Sequence, residues 1–374
     1  MLLILLFYYT KIYYTSCNSW FIYLIINYTI VYNLYQSKIR KDIQTKIYEK
    51  PYFTVNLFGK EYFGLIKEKK IWPFTTKWLQ IMWIEFPIDK ATWELDQKYI
   101  KSEIKKLKKH YKLKNKSNKW LIFVQLCLLN EIDRFDNISK RPPEFTAEIK
   151  QKRLDIRKNI TDEYWLKVAF RENMPQANIV YDITKPDEEL IKEMNSWCKE
   201  RVKKAIKKWI EFDVATPDQY DLFYDKRIEL SNYKWFNIIP KQQYNDLLKY
   251  LIKNKTGNVF TSHFEWDLIA GSICIYDEHR IIYLYWFSNR KYSNIWWHHY
   301  LKFKIFGYAR EQWMTYVDML WWAPTWFPKH SLTWVSKFKE SLWGSKIEQY
   351  WSYDLVINPI LYNIFKLYFK RKHK

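Results

Sequence analysis

A chain of 374 residues that is 48% hydrophobic and 27% charged carries enough apolar side chains for one large or two ordinary cores, which excludes a disordered chain. Its net charge of +22 points to a polyanionic partner (nucleic acid, anionic lipid or a phosphorylated substrate), with a compositional bias toward Lys, Ile, Asn and Tyr as the plain alternative. Cys17, Cys127, Cys198 and Cys274 are scattered, and His298 and His299 are adjacent on a helix, so neither a disulfide framework nor a metal centre is expected.

Residues 1–35 are apolar and tyrosine-rich. Three readings are open for them: a membrane-associating helix, a weak signal peptide, or translation upstream of the true start, the last being our expectation. The run Trp20 to Tyr35 is shorter than the ~20 apolar residues a spanning helix needs. Strands are expected over Tyr52 to Phe58 and Tyr62 to Ile66, around a Gly59-Lys60 turn, and again near Leu79 to Glu85. Thr92 to Tyr111 carries Leu95, Tyr99, Ile104 and Leu107 at helical spacing, with lysines opposite. Trp120 to Leu128 reads as a buried strand, Arg141-Pro142-Pro143 as a loop, Ala147 to Asn159 as a helix and Asn178 to Ile183 as a strand.

The pattern then repeats. Asp187 to Lys208 is expected as one basic helix, Glu211 to Ala215 as a strand, and Thr216-Pro217-Asp218 as a helix start leading into Tyr220 to Leu230. Pro240 opens a helix through Ile252. Strands Asn258 to Phe264, Leu268 to Tyr276 and Arg280 to Phe287 follow, then helix Trp297 to Gln312, strand Thr315 to Leu320 and a short element at Lys337 to Ser341.

Glycine is scarce: six residues, far below a usual share of roughly 7%, whereas tryptophan reaches 21. Tryptophans also stand where turns are expected, as in Glu265-Trp266-Asp267 between two strands and at Trp321, Trp322 and Trp326 around Pro324 and Pro328. This pattern is what UGA codons decoded as glycine, but translated here as tryptophan, would leave. A truly tryptophan-rich protein is the alternative.

The second half has the element order of GNAT-type N-acyltransferases, in which a splayed strand pair holds the acyl donor. Its local words are more specific. "MPQANIVYDITKPDEEL" (174–190), "FEWDLIAGSICIY" (264–276), "YLYWFSNRKY" (283–292), "EQWMTYVDMLWWAP" (311–324), "LTWVSKFKESLWGS" (332–345) and "YWSYDLVINPILYNIF" (350–365) occur in the order of the Fem-type aminoacyl-tRNA-dependent ligases of cell-wall precursors, which the chain resembles over about residues 174–365. At Trp209, Trp235, Trp266, Trp286, Trp313, Trp321, Trp322, Trp334, Trp343 and Trp351 the family pattern favours glycine. The first half matches loosely from "QSKIRKDIQTKIYEKPYFTV" (36–55), and no coiled-coil arm is evident between the halves.

The resemblance implies an α+β fold of two GNAT-like domains with mixed, mostly antiparallel sheets flanked by helices. The expected units are 36–183 and 184–345, with 346–374 packing back on the first. It also implies a transferase of peptidoglycan biosynthesis, and hence of cell-wall biogenesis and cell shape. This enzyme would move an amino acid from aminoacyl-tRNA to the stem-peptide amine of a murein precursor (lipid II or UDP-MurNAc-pentapeptide). The expected location is cytoplasmic, with peripheral contact at the inner membrane face. An activated ester becomes an amide, so no cofactor, metal or covalent enzyme intermediate is needed, only a neutral amine, alignment and a stabilised oxyanion.

Lys339, in "KFKES", matches the family's Phe-Lys motif and is the expected catalytic residue, with Lys337 as a second choice for substrate binding. Lys241 and Tyr244 fall where the family contacts the acceptor, although the family's arginine there is not evident. Tyr285 and Asn289 end the strand facing the acyl channel, and Lys203, Lys204 and Lys207 are candidates for the tRNA. Lysines on a helix face and a buried tyrosine also have plain structural uses. Two rivals stay open: a GNAT-like acyltransferase using acyl-CoA, and a non-enzymatic basic binder of nucleic acid or membrane.

Overall fold

Two twisted sheets account for most of the buried side chains. The computed structural model describes residues 36–71, 74–89, 95–117, 121–135, 147–170, 177–234, 236–277, 279–289, 291–292, 297–320, 322–323 and 333–372. The apolar extension 1–35 and the Arg141-Pro142-Pro143 loop lie outside the described residues.

The first sheet begins as a meander of β1 (Tyr52–Leu57), β2 (Lys60–Ile71) and β3 (Phe74–Ile84), whose first turn uses Gly59 at φ +71°. Strand β4 (Leu121–Leu128) lies parallel to β3, and β14 (Ser352–Val356) then separates it from β6 (Lys167–Val168), giving the order β1-β2-β3-β4-β14-β6. A short helix α1 (Lys38–Asp42) runs into a π-helical turn at Ile43–Ile47. Helix α2 (Gln97–Ser117) makes the crossover between β3 and β4, burying Ile100, Ile104, Leu107 and Tyr111 at helical spacing while its lysines face outward. Helix α3 (Ala147–Tyr164) packs beside it.

The second sheet has eight strands in the order β5-β13-β7-β12-β11-β10-β9-β8. Their ranges are β5 (Glu131–Phe135), β7 (Ala177–Asp182), β8 (Glu211–Val214), β9 (Gly257–Phe264), β10 (Asp267–Asp277), β11 (Arg280–Ser288), β12 (Tyr316–Asp318) and β13 (Ser345–Gln349). One face buries residues of α5 (Ser196–Lys207) and α8 (Trp297–Glu311); the other buries residues of α6 (Tyr220–Lys234) and α7 (Lys241–Lys253). Helix α9 (Thr333–Glu340) precedes β13, and α10 (Pro359–Lys372) follows β14 and covers β4. This is the α+β architecture, with mixed and mostly antiparallel sheets flanked by helices, that the sequence indicates. Among the described residues no helix is long and apolar enough to cross a membrane.

Two sequence expectations need correction. The basic segment 187–208 is two helices, α4 (Asp187–Glu193) and α5, because Asn195 turns extended and its side chain caps the second helix by accepting from the Cys198 N–H at 2.8 Å. The strand expected over Thr315 to Leu320 stops at Asp318, since Leu320 has φ 48°.

Tryptophan occupies the left-handed backbone region unusually often. Nine described non-glycine residues have positive φ, and four are tryptophans: Trp165 (54°), Trp209 (55°), Trp266 (69°) and Trp313 (61°). Three of these rings have no packing role, being 88%, 98% and 89% exposed at Trp209, Trp266 and Trp313. Trp209 and Trp313 follow helix ends and Trp266 sits in the β9–β10 turn, positions where a Cβ is a steric cost without compensation. Trp322, Trp343 and Trp351 are instead buried, and Trp343 Nε1 donates to the Asp182 carbonyl at 2.8 Å. Trp235, Trp321 and the side chain of Trp334 lie outside the described residues. We predict that Trp266→Gly and Trp313→Gly each raise stability, by about 1 kcal/mol. Urea unfolding measures this, and a lower midpoint in both variants would refute the reading.

Candidate active site

The two sheets differ at their parallel strand pairs. In the first, β3 and β4 stay paired from Lys77–Leu121 to Ile84–Leu128. In the second, β11 and β12 pair only at Arg280–Tyr316, Ile281–Val317 and Ile282–Asp318. Beyond Asp318 the chain keeps to β7, with Met319 N–H donating to Ile179 O and Trp322 N–H to Ala177 O, while β11 runs on with β10 to Ser288. Among the described residues, 283–288 thus have no strand partner on their β12 side. Such an opening exposes strand backbone that a ligand can pair with.

Around this opening sit groups that proteins seldom bury. Lys339, on α9, is 8% exposed, and its Nζ donates to Met319 O (2.8 Å) and Leu320 O (2.6 Å), the carbonyls just past the divergence. Burial pulls its ammonium down to about 7, against an opposing pull from Asp318. Asp318 is itself buried, 3.7 Å from the Arg280 guanidinium, and accepts from the Leu320 N–H. Lys302, on α8, has its Nζ 2.9 Å from Ser272 Oγ and 3.5 Å above the Tyr283 ring, and burial brings it to about 7 as well.

The opposite face carries Arg227, on α6. A bulge at Ile273/Cys274 breaks the alternation of β11, so Tyr283 lies in the α5–α8 core and Tyr285 against the α6–α7 core. The Arg227 guanidinium is 4.4 Å above Tyr285, donates to Trp286 O at 2.7 Å, and has its Nε buried without a hydrogen-bond partner. Tyr285 Oη is 2.8 Å from Tyr48 Oη, and Tyr48 caps the C-terminal end of the π-helical turn at Ile43–Ile47. Arg227 has no carboxylate partner among the described residues, so it is a desolvated cation facing tyrosines where the two halves of the chain meet.

Of the residues expected from sequence, Lys339, Tyr285 and Tyr244 lie in this region. Tyr244 is fully buried, its ring between Phe223 and Tyr224 and its hydroxyl donating to Tyr220 O at 3.4 Å. Lys241 is on the surface, paired with Asp221 at 3.0 Å. Lys337 is exposed on the side of α9 away from Lys339. Asn289 closes a turn, its N–H donating to Ile269 O and its side chain accepting from Lys291 N–H. Lys203, Lys204 and Lys207 form an exposed row on α5. His298 and His299 are closer than helical spacing suggests, with ring centroids 4.2 Å apart and both rings against Phe338. Sequence reading missed Arg227 and Lys302; each is one of several basic residues in its helix and carries no signal until the sheet shows what it faces.

The geometry defines a class: a pair of α+β units, one of which has a parallel strand pair that splays apart after three residue pairs. Among solved structures the chain is similar to the crystal structure of FemX, with a TM-score of 0.61 and 13% identity over 89% of this chain and 94% of that one. It is also similar to L-PGS from Bacillus licheniformis (TM-score 0.45, 10% identity, 88% and 95% covered). A tandem GNAT protein from the clavulanic acid biosynthesis pathway gives a TM-score of 0.42 at 7% identity, with 81% of each chain covered. No family model and no curated protein matches the chain. The chain thus shares the fold of FemX, with two sheet-based units.

The buried lysines make stability depend on pH. The folded pKa of Lys302, about 7, lies below its ordinary 10.5, so the folded state holds fewer protons between those values. Its burial cost is full below pH 7 and is relieved as pH rises. Lys302→Met should therefore exceed the parent in stability at pH 6.5 and lose about half of that advantage by pH 9, at up to about 1.4 kcal/mol per pH unit. Urea unfolding at both pH values tests this; a constant difference would mean that Lys302 is not buried as described.

Proposed function

We propose that this chain is an aminoacyltransferase that moves an amino acid from aminoacyl-tRNA to the stem-peptide amine of a peptidoglycan precursor. The observation that carries this reading is the opening between β11 and β12 with Lys339 at its mouth, in a chain whose fold and ordered motifs are Fem-type. The neutral acceptor amine attacks the ester carbonyl; a C–N bond forms, the ester C–O bond breaks, and the amine's proton leaves with the ribose hydroxyl. Lys339 places positive charge against the developing oxyanion, held in place by the carbonyls of Met319 and Leu320. Arg227, with Tyr285 and Tyr48, takes the acceptor's phosphates from the opposite face, supplying the arginine that the α7 segment lacks. The exposed Lys203, Lys204 and Lys207 row, within a net charge of +22, suits the tRNA stem. This assignment places the protein in the cytoplasm, with peripheral contact at the inner face of the membrane.

Incubating the purified protein with charged tRNA and murein precursor tests the reading by amide formation. Lys339→Ala should lower kcat by about 10²–10³-fold, and Arg227→Gln should raise the acceptor's KM by about tenfold or more. Transfer from an acyl-CoA thioester but not from aminoacyl-tRNA would move the protein to the other acyltransferase class.

We also propose that UGA is decoded as glycine in the source of this sequence. Trp209, Trp266 and Trp313, chosen from the family pattern, also adopt positive φ, and Trp165 joins them on conformation alone. UGA codons at these four positions, and glycine in peptides of the native protein by mass spectrometry, are the expected findings. UGG codons there would end the proposal.

A further inference from the structure

Helix α10 presents two apolar faces, although it has a partner for one. Inward, Tyr362, Phe365 and Phe369 pack on Trp78, Phe123 and Phe170, and Tyr362 Oη donates to the buried Asp354 carboxylate at 2.8 Å. This fixes the helix on the first sheet. Outward, Ile360, Ile364 and Leu367 are 73%, 45% and 58% exposed at i, i+4 and i+7, and Arg371 continues the same stripe. Among the described residues no other helix exposes three aliphatic side chains in such a row. Lys366 and the exposed Lys370 flank it, and the sequence of α10 contains no acidic residue.

We infer that the outer face of α10 docks on an anionic lipid surface. Three aligned aliphatic side chains call for an apolar partner, which a nucleic acid backbone does not offer. A second copy of the chain would set Lys370 and Arg371 against a like-charged helix. An anionic bilayer meets both needs: the aliphatic stripe enters the headgroup boundary while the basic side chains reach the phosphates. With 14 residues, α10 is about 21 Å long, too short to span, so it lies in the membrane plane. The inference rests on the peptidoglycan reading for its purpose. It selects the lipid-linked precursor as acceptor, because the enzyme is then held where that substrate resides.

The test is flotation of the full chain with vesicles of phosphatidylcholine, with or without phosphatidylglycerol, at low and high salt. We expect binding only to the anionic vesicles and weaker binding at high salt. Ile360→Asn/Ile364→Asn/Leu367→Asn and Lys370→Glu/Arg371→Glu should each reduce it by about tenfold or more. Both sets lie on the surface, and thermal melts verify that they fold. Absence of flotation by the parent, or equal flotation by the variants, overturns the inference. So does a concentration-dependent dimer that the triple variant abolishes, or RNA binding lost in that variant while vesicles are ignored. Transfer assays separate the two proposals. Triple-variant transfer to a soluble nucleotide-linked acceptor should match the parent, while transfer to vesicle-embedded acceptor falls. Flotation through α10 without transfer to either acceptor would remove the enzymatic reading and leave the docking surface standing.

Discussion

The site depends on one failure of pairing. Strands β11 and β12 run parallel for three residue pairs and then part, because the chain after Asp318 follows β7 and not β11. Lys339 supports the divergence by donating to the two carbonyls, Met319 and Leu320, that the departing strand leaves unpaired. In the first sheet the comparable pair, β3 and β4, remains closed along its length, so the two units share an architecture without sharing an opening. Both units supply core packing, and one of them leaves a strand edge without a strand partner among the described residues.

Buried cations are held in two ways. Some have carboxylate partners: Arg280 lies 3.7 Å from Asp318, and Arg153 and Lys346 both pair with Glu348. Beside the opening, Lys302 and Arg227 are held by aromatic rings, a serine hydroxyl and a carbonyl. Neutral partners stabilise a cation less than a carboxylate does, but they leave its charge uncompensated for an anionic ligand. The desolvation cost is carried by the surrounding cores, which contain Phe223, Phe287 and Ile273 on one face and Phe306, Leu301 and Ile305 on the other.

Much of this was legible in the sequence because it is local. Alternation and turn residues gave β1, β2, β9, β10 and β11, and the helical spacing of Ile104 and Leu107 gave α2. The motif ending Tyr-Asp-Leu…Asn-Pro-x-x-Tyr also has a local explanation. Asp354 accepts from Tyr362, Asn358 accepts from the Leu361 N–H at the start of α10, and burial raises the Asp354 carboxyl to about 7. Non-local features were not legible. Strand β13 joins the second sheet and β14, three residues later, joins the first, a choice made by distant partners rather than by either segment's composition. The role of Arg227 likewise depends on a strand bulge that aims Tyr285 toward it and on Tyr48 from the other half of the chain.

The tryptophans divide by the same physical criterion. A buried ring such as Trp343, packed on Tyr181 and Phe306 and hydrogen-bonded to Asp182, is compatible with its surroundings, so the structure alone gives no reason to prefer glycine there. At Trp209, Trp266 and Trp313 a strained backbone carries a ring that touches little, and a residue without a Cβ satisfies those positions better. Conformation therefore separates positions where glycine is demanded from those where only family resemblance suggests it. The distinction bears on function at Trp322, which is buried, donates its backbone N–H to Ala177 beside the opening, and carries Lys346 3.9 Å above its ring. A glycine there would keep the backbone hydrogen bond and give up the volume of the indole. The strand divergence and its lysine would remain, and the space beside them would be larger.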